Sequence, residues 1–431
     1  MKRGFALYLA FLVFLTCFLG WYLTRPKVLT VGLFAGSNWN VPEGEPYALL
    51  EAAITRFEAE HPGVKVKYVS GIRKEDYSEW LAERLLNGDE PDVFVVPGTD
   101  FALYASSGAL APLERSMGMD TDFNQDVFYP MVLDYGRWQG ESYAMPVGAV
   151  PTLMFVNKTL LAKEGIAIPR NDWTWRDFLR ICKAVTRDTD GDGRLDQFGV
   201  YDYNWRKAAL TNEVKIFSAD GKNANFTTQN MEEVMRFMAE LHAVNQGQEV
   251  TARDFDMGRV AFRPFTFAEY RTYKPYPWRI KKYSSFEWDC IKLPAGPSGH
   301  NSSIMQVMIM GISARTSEPR LSWELLKTLC YDPAIQESLL TMTQGVPARR
   351  DVVESPRAQA LFTASTPGSE EMNLQIVSQV MDDSITEPKF SRYHEAMNLA
   401  DHKLQHMVQE GLSIGSALNQ VQKDINRYLQ Q

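Results

Sequence analysis

The chain runs to 431 residues, 45% hydrophobic and 23% charged, with a net charge of −8 and no low-complexity tract or internal repeat. This composition belongs to a globular protein and excludes a disordered one; the acidic balance, with no basic patch, excludes a nucleic-acid partner. At ordinary domain sizes, the roughly 400 residues beyond the N-terminal segment predict two domains.

Met1-Lys2-Arg3 precedes an apolar run over 4–23 that carries no charge before Arg25. About twenty such residues suffice to span a bilayer as a helix, whereas a cleaved signal peptide has a shorter apolar region and a small-x-small cleavage site. The expectation is an uncleaved membrane anchor over 1–25, with everything after it on the extracytoplasmic face. Cys17, after Phe14-Leu15-Thr16, loosely matches a lipoprotein site and stands as the lipid-anchored alternative.

Residues 28–34 read as a buried strand. A helix is expected over 47–60, where apolar residues recur at helical spacing until His61-Pro62-Gly63. Residues 64–69 alternate apolar and basic side chains as a half-exposed strand does. An amphipathic helix follows over 76–86, ended by Asn87-Gly88, and then an apolar strand over 92–96. Strands alternating with helices predict an α/β fold with a mostly parallel sheet. Ligands of such sheets bind beyond the carboxyl ends of the strands, here 35–40 and 97–100, both rich in Gly, Ser, Asn and Thr.

A second α/β unit begins near Pro151, with a strand over 153–156, a short helix over 157–165 and a longer one over 172–186. Directly after it, Asp188, Asp190, Asp192 and Asp196 occupy positions 1, 3, 5 and 9 of a loop with Gly193 at position 6. That is the spacing of an EF-hand-type calcium loop, and it predicts one structural Ca2+ held by these four carboxylates and the carbonyl of Arg194. Position 12 is Gly199 where a bidentate Glu is usual, so a carboxylate from elsewhere completes the shell or affinity is modest. The plainer reading is a solvated acidic turn.

Further on come a helix over 230–245, an aromatic segment over 262–288, a strand over 305–313, a helix over 322–329 and two closing helices over 394–409 and 414–429. His402 and His406 share one face of the first closing helix. Lys-Leu-Gln stands between them, without the Glu of a metalloprotease, so a solvated face is expected. Cys182, Cys290 and Cys330 lie among apolar neighbours and are odd in number, which predicts buried free thiols.

Four segments in combination resemble the bacterial extracellular solute-binding proteins of carbohydrate ABC importers, the maltose-binding-like group. They are Pro91-Asp92-Val93-Phe94 with the later Gly108-Ala109-Leu110-Ala111-Pro112-Leu113 turn; Tyr143-Ala144-Met145-Pro146 through Phe155-Val156-Asn157-Lys158, Gly165-Ile166 and Trp175-Arg176-Asp177-Phe178; Gly311-Ile312-Ser313-Ala314 with Ser322-Trp323-Glu324-Leu325-Leu326-Lys327; and Gly345-Val346-Pro347-Ala348-Arg349-Arg350. The resemblance implies a two-lobed, periplasmic-binding-protein-like (type II) α/β fold closing on a ligand. Lobe 1 would be 26–149 with 305–345 and lobe 2 would be 150–304 with 346–431, the chain crossing near 146–151, 303–305 and 345–346. One departure is Arg263-Pro264-Phe265-Thr266-Phe267-Ala268-Glu269-Tyr270, where the family often has a small-residue and tryptophan turn.

A sugar offers C–H faces to aromatic rings and hydroxyls to planar polar groups. Trp39, beside Ser37 and Asn38 after the first strand, is the leading candidate for stacking; the alternative is a ring packed under its loop. Thr99 and Asp100 follow the strand ending at Val96, and Asp100 serves either the cleft or the N-cap of the next helix. Trp205, Phe267, Tyr270 and Gln306 are candidates by proximity to expected cleft segments, while Trp175 and Trp323 are assigned to the core. No phosphate loop, nucleophile elbow or dinucleotide Gly pattern occurs, which points away from catalysis. The implied function is a surface-anchored, non-enzymatic receptor that passes a sugar or oligosaccharide to separate ABC permease subunits. A sensor-kinase input and an extracellular glycan-active enzyme are the rivals.

Overall fold

The computed structural model describes residues 26–42, 47–218, 220–272, 286–365, 374–390, 392–410 and 413–430. The anchor expected over 1–25, with Cys17, lies outside the described residues, within which no helix is long and apolar enough to cross a membrane. The His406 side chain also lies outside them, and His402 is exposed.

The first quarter follows the sequence closely. β1 (Lys27–Gly32) pairs in parallel with β2 (Val64–Tyr68) and β3 (Val93–Val96), with Leu29 opposite Val66 and Val31 opposite Val93. β3 is four buried apolar residues, as a strand covered on both faces requires. The helix Ala48–Glu60 buries Leu50, Ala53 and Phe57, three and four residues apart. The helix Lys74–Asn87 closes on Gly88, whose φ of 77° a residue with a Cβ would adopt only under strain.

β4 (Ala144–Asn157) has fourteen residues, all buried. The expectation at 153–156 reaches only its last part, because Pro146, Gly148 and Pro151 interrupt the earlier apolar run. Then follow β5 (Phe198–Val200), β6 (Val260–Thr266), β7 (Trp288–Ile291), β8 (Ser303–Ile312), β9 (Val346–Pro347) and β10 (Ser384–Thr386). These strands form one sheet in the order β2-β1-β3-β8-β4-β6-β5, with β7 and β9 also paired to β4 and β10 to β8.

The expectation of a mostly parallel sheet needs correction. β8 is antiparallel to β3 and β4, and β4 is antiparallel to β6, β7 and β9. Parallel pairing holds at β1–β2, β1–β3, β5–β6 and β8–β10. The physical reason is the pair of long strands β4 and β8. Met305–Gly311 faces Pro151–Ala144 in opposed directions, with a bulge between Met308 and Ile309. Local alternation of strands and helices reveals βαβ units, but not a strand that returns from far along the chain.

Side chains of β4 alternate between two apolar clusters: Leu153 and Phe155 enter the first, Met154 and Val156 the second. The first holds β1, β3 and β8 with the helices around them. The second gathers the helices Trp175–Val185, Gln229–Ala243 and Ile414–Leu429. Val346, Val353, Phe362, Leu374, Val377 and Met381 join the first cluster, which also takes Phe198, Phe265 and Cys290 from the range expected in lobe 2; the chain enters the second cluster from Tyr393 onward. Trp175 and Trp323 are buried as expected, and Cys182, Cys290 and Cys330 are buried free thiols.

Candidate ligand-binding site

At the carboxyl end of β1 the loop 35–40 folds inward. The Ser37 hydroxyl accepts a hydrogen bond from the Trp39 amide at 3.1 Å, and Lys74 Nζ donates to the Asn38 carbonyl and to Asn40 Oδ1 (2.7 Å). Trp39 is 7% exposed and packs in the first cluster, in place of the open loop position expected of it. Its indole lies so close to Gly345 that a Cβ there would stand 3.0 Å from Nε1. Beneath the ring is a cavity of about 70 Å³ lined by Phe34, Leu50, Val147, Met308, Met310 and Leu339. That lining is apolar and suits packing more than a sugar.

The carboxyl end of β3 presents a more polar surface. Gly98 lies against the Tyr135 hydroxyl, leaving no room for a Cβ, which would stand 2.4 Å from it. Thr99 and Asp100 are half-buried. Asp100 accepts a hydrogen bond from the Ser78 hydroxyl, and it stands at the N-cap position of the helix Phe101–Ser106 without making a side-chain cap bond.

Residues 387–390, which follow β10, lie over this end of β3. Lys389 Nζ donates to the carbonyls of Tyr135 (2.7 Å) and Arg137 (3.1 Å) and lies 4.5 Å from the Phe101 ring centroid. Burial lowers its pKa to about 8. Glu387 is half-buried, and partial desolvation raises its pKa. On the side of the second cluster, Arg206 donates to both carboxylate oxygens of Asp401, one of them through Nε at 2.9 Å.

The other expected residues are dispersed. Trp205 is buried, and its Nε1 donates to Asp401 Oδ1 at 2.7 Å. Phe267 has no exposed surface and stacks on Phe362 at 5.6 Å, so it offers a ligand nothing in this conformation. Tyr270 stacks on Phe155 at 4.7 Å with part of its ring accessible, and Gln306 is half-buried opposite Val150. The structure thus brings Ser37, Asn38 and Trp39 together, and separately Thr99 and Asp100 with Tyr135, Glu387 and Lys389. The last three were missed by sequence reasoning. Their one available signal is Pro388, which stands shortly before the helical pattern over 394–409.

In the acidic loop, ligand atoms of Asp188, Asp190 and Asp196 lie within 4.8 Å of one another. Asp188 accepts from the amides of Gly191 (2.7 Å) and Gly193 (2.8 Å), and these bonds hold its carboxyl below the usual range. The Asp192 carboxylate instead accepts from the Arg194 amide at 2.8 Å. Gly199 lies against the helix Trp175–Val185, where a Cβ would stand 2.5 Å from the Cα of Cys182. A Glu at position 12 therefore has no room.

The sequence profile described as "Bacterial extracellular solute-binding protein" matches residues 41–330, more than half of the chain. A putative ABC transporter periplasmic-binding protein of Escherichia coli is 24% identical over 216 residues, 47% of this chain and 47% of that one. The diacetylchitobiose-binding protein of Streptomyces coelicolor is 26% identical over 171 residues, covering 38% and 36%. The match thus spans about half of the first of these relatives and less of the second. Among solved structures, the sugar-binding protein MalE of Xanthomonas citri superposes with a TM-score of 0.76 at 17% identity, over 94% of this chain and 97% of that one. The fold is thus the two-lobed α/β arrangement of such binding proteins.

Proposed function

The chain belongs to the bacterial extracellular solute-binding proteins, and from that premise we propose that it is a non-enzymatic receptor capturing a carbohydrate or oligosaccharide for an ABC importer. The observation that carries this reading is the site at the carboxyl end of β3, where half-buried Thr99 and Asp100 stand beside Tyr135 and the segment 387–390. A solved structure named as a sugar-binding protein shares the fold, and a diacetylchitobiose-binding protein is similar in sequence over 171 residues. Asn38, Tyr270 and Gln306 are further candidates because part of each remains accessible. Closure between the lobes would present the loaded form to separate permease subunits.

Membrane attachment would come through residues 1–25, either as an uncleaved anchor or through a lipid on Cys17; mass spectrometry of the mature N-terminus separates these. The acidic loop would hold one structural Ca2+ through Asp188, Asp190 and Asp196, with the carbonyl of Arg194, while Asp192 must turn from the Arg194 amide to take part. The receptor reading is tested by melting the full-length chain in detergent against a panel of sugars. A ligand that binds only the folded state raises the melting temperature, and a flat response to every sugar overturns the carbohydrate reading.

A further inference from the structure

Protein interiors are close-packed, with few voids larger than a water molecule, so the cavity of about 70 Å³ beneath Trp39 calls for an occupant. No charged side chain lines it. Leu50, Val147 and Leu339 belong to its buried part, while Gly36, Asn38 and Thr343 on its rim are half-buried. That rim lies at the carboxyl end of β1, where α/β sheets receive ligands. The loop over the cavity turns at Gly36, with a φ of 94°, and again at Asn40, with a φ of 58°. Lys74 holds this loop by the Asn38 carbonyl and Asn40 Oδ1.

Two polar groups of the lining are uncommitted. Among the described residues, neither the Asn38 side-chain amide nor the Trp39 indole N–H makes a hydrogen bond. The Thr343 hydroxyl, by contrast, accepts from the Gly345 amide at 3.1 Å and donates to the Leu339 carbonyl at 3.0 Å. Asn38 and Trp39 together offer donors and one carbonyl acceptor. The space limits what can meet them. A dry apolar cavity of about 150 Å³ admits benzene, so one of about 70 Å³ holds roughly two or three heavy atoms. A sugar ring is too large, and its hydroxyls would go unpaired against that lining. An acetamido group satisfies both limits, with a methyl for the apolar interior, a carbonyl for the donors and an N–H for Asn38 Oδ1.

We propose that the cavity beneath Trp39 is an acyl subsite, taking the acetamido methyl of an N-acetylated saccharide whose ring stays outside the rim formed by Gly36, Asn38 and Thr343. The assignment rests on the receptor reading given above and narrows its ligand class to N-acetyl amino sugars.

The test is calorimetric titration of the full-length chain in detergent with sugars paired by a hydroxyl or an acetamido group at C2. The pairs are glucose and N-acetylglucosamine, galactose and N-acetylgalactosamine, and cellobiose and N,N′-diacetylchitobiose; L-fucose adds a methyl without an amide. In at least one pair the acetylated member should bind the parent about tenfold more tightly, the gain from burying one methyl and adding one hydrogen bond. Leu50→Phe, which fills the cavity from the helix Ala48–Glu60, and Asn38→Ala should each reduce that ratio to about threefold or less. Equal affinities within every pair that binds overturn the subsite and leave the receptor reading intact. A ratio retained in Asn38→Ala, or in a Leu50→Phe protein that melts no lower than the parent, puts the acetyl group elsewhere and overturns it too. If Leu50→Phe melts lower, Asn38→Ala alone decides. Fucose binding more tightly than every acetylated sugar overturns the acetamido class, and failure of every sugar to bind the parent overturns the receptor reading along with it.

Discussion

At Trp39 the loop after β1 turns its ring against Gly345 and over an apolar cavity. Truncating a large buried ring costs about 3–5 kcal/mol, so Trp39→Ala should lower the melting temperature even without ligand, which thermal unfolding checks. The sequence made this loop visible through its Gly, Ser and Asn content. It could not show the burial, which depends on Gly345 arriving from a remote part of the chain. Lys389 carries a second consequence. Its folded-state pKa of about 8 lies below the ordinary 10.5, so the unfolded chain binds that proton more tightly. Stability contributed by this group therefore rises as pH climbs from about 8 towards 10.5, and below 8 the cost of burying the charge is fully present. Lys74 and Lys207 are lowered by burial as well and act in the same direction. In a pH series of melting curves, Lys389→Met should flatten this rise relative to the parent while the share of the other two lysines persists.

Among the elements, helices were the most legible. The helix Trp175–Val185 buries Trp175, Phe178, Ile181, Cys182 and Val185 on one stripe and opens with a reciprocal Thr174–Asp177 capping box, so pattern and cap agreed. β6 was hidden because Val-Ala-Phe-Arg-Pro-Phe-Thr holds Arg263 and Pro264 inside an apolar run, and β5, β9 and β10 are too short to show a period. The acidic loop was legible in spacing, and its missing Glu has a packing cause in Gly199 against Cys182. If the loop binds Ca2+, a hundredfold excess over the dissociation constant stabilises the fold by about 2.7 kcal/mol. Chelation should then lower the melting temperature of the parent and leave Asp188→Asn unaffected. Equal melting of the parent with calcium and with chelator would reduce the loop to an acidic turn.

In the whole molecule, the two-lobed arrangement was foreseen from four short segments, whereas the directions of β4 and β8 were not. Both depend on pairings between distant parts of the chain, which a local pattern does not encode. β8, at 303–312, lies between β3 and β4 and supplies hydrogen bonds to both. A fragment ending at residue 302 would leave β3 and β4 with facing unpaired edges. It should show no cooperative transition when urea unfolding is followed by circular dichroism, while the complete chain should show one.

The same insertion sets an order of events during synthesis. Three parallel strands of lobe 1 emerge early, but the strand that joins them to β4 is more than two hundred residues away, and the helices that finish the first cluster come later still. Until those residues appear, the early strands have an open edge and an uncovered apolar face, a state prone to wrong pairing. Distant pairing of this kind also makes folding slow. A sheet whose early strands are joined by a strand from the last third of the chain therefore leaves the nascent chain dependent on protection until that third has been made.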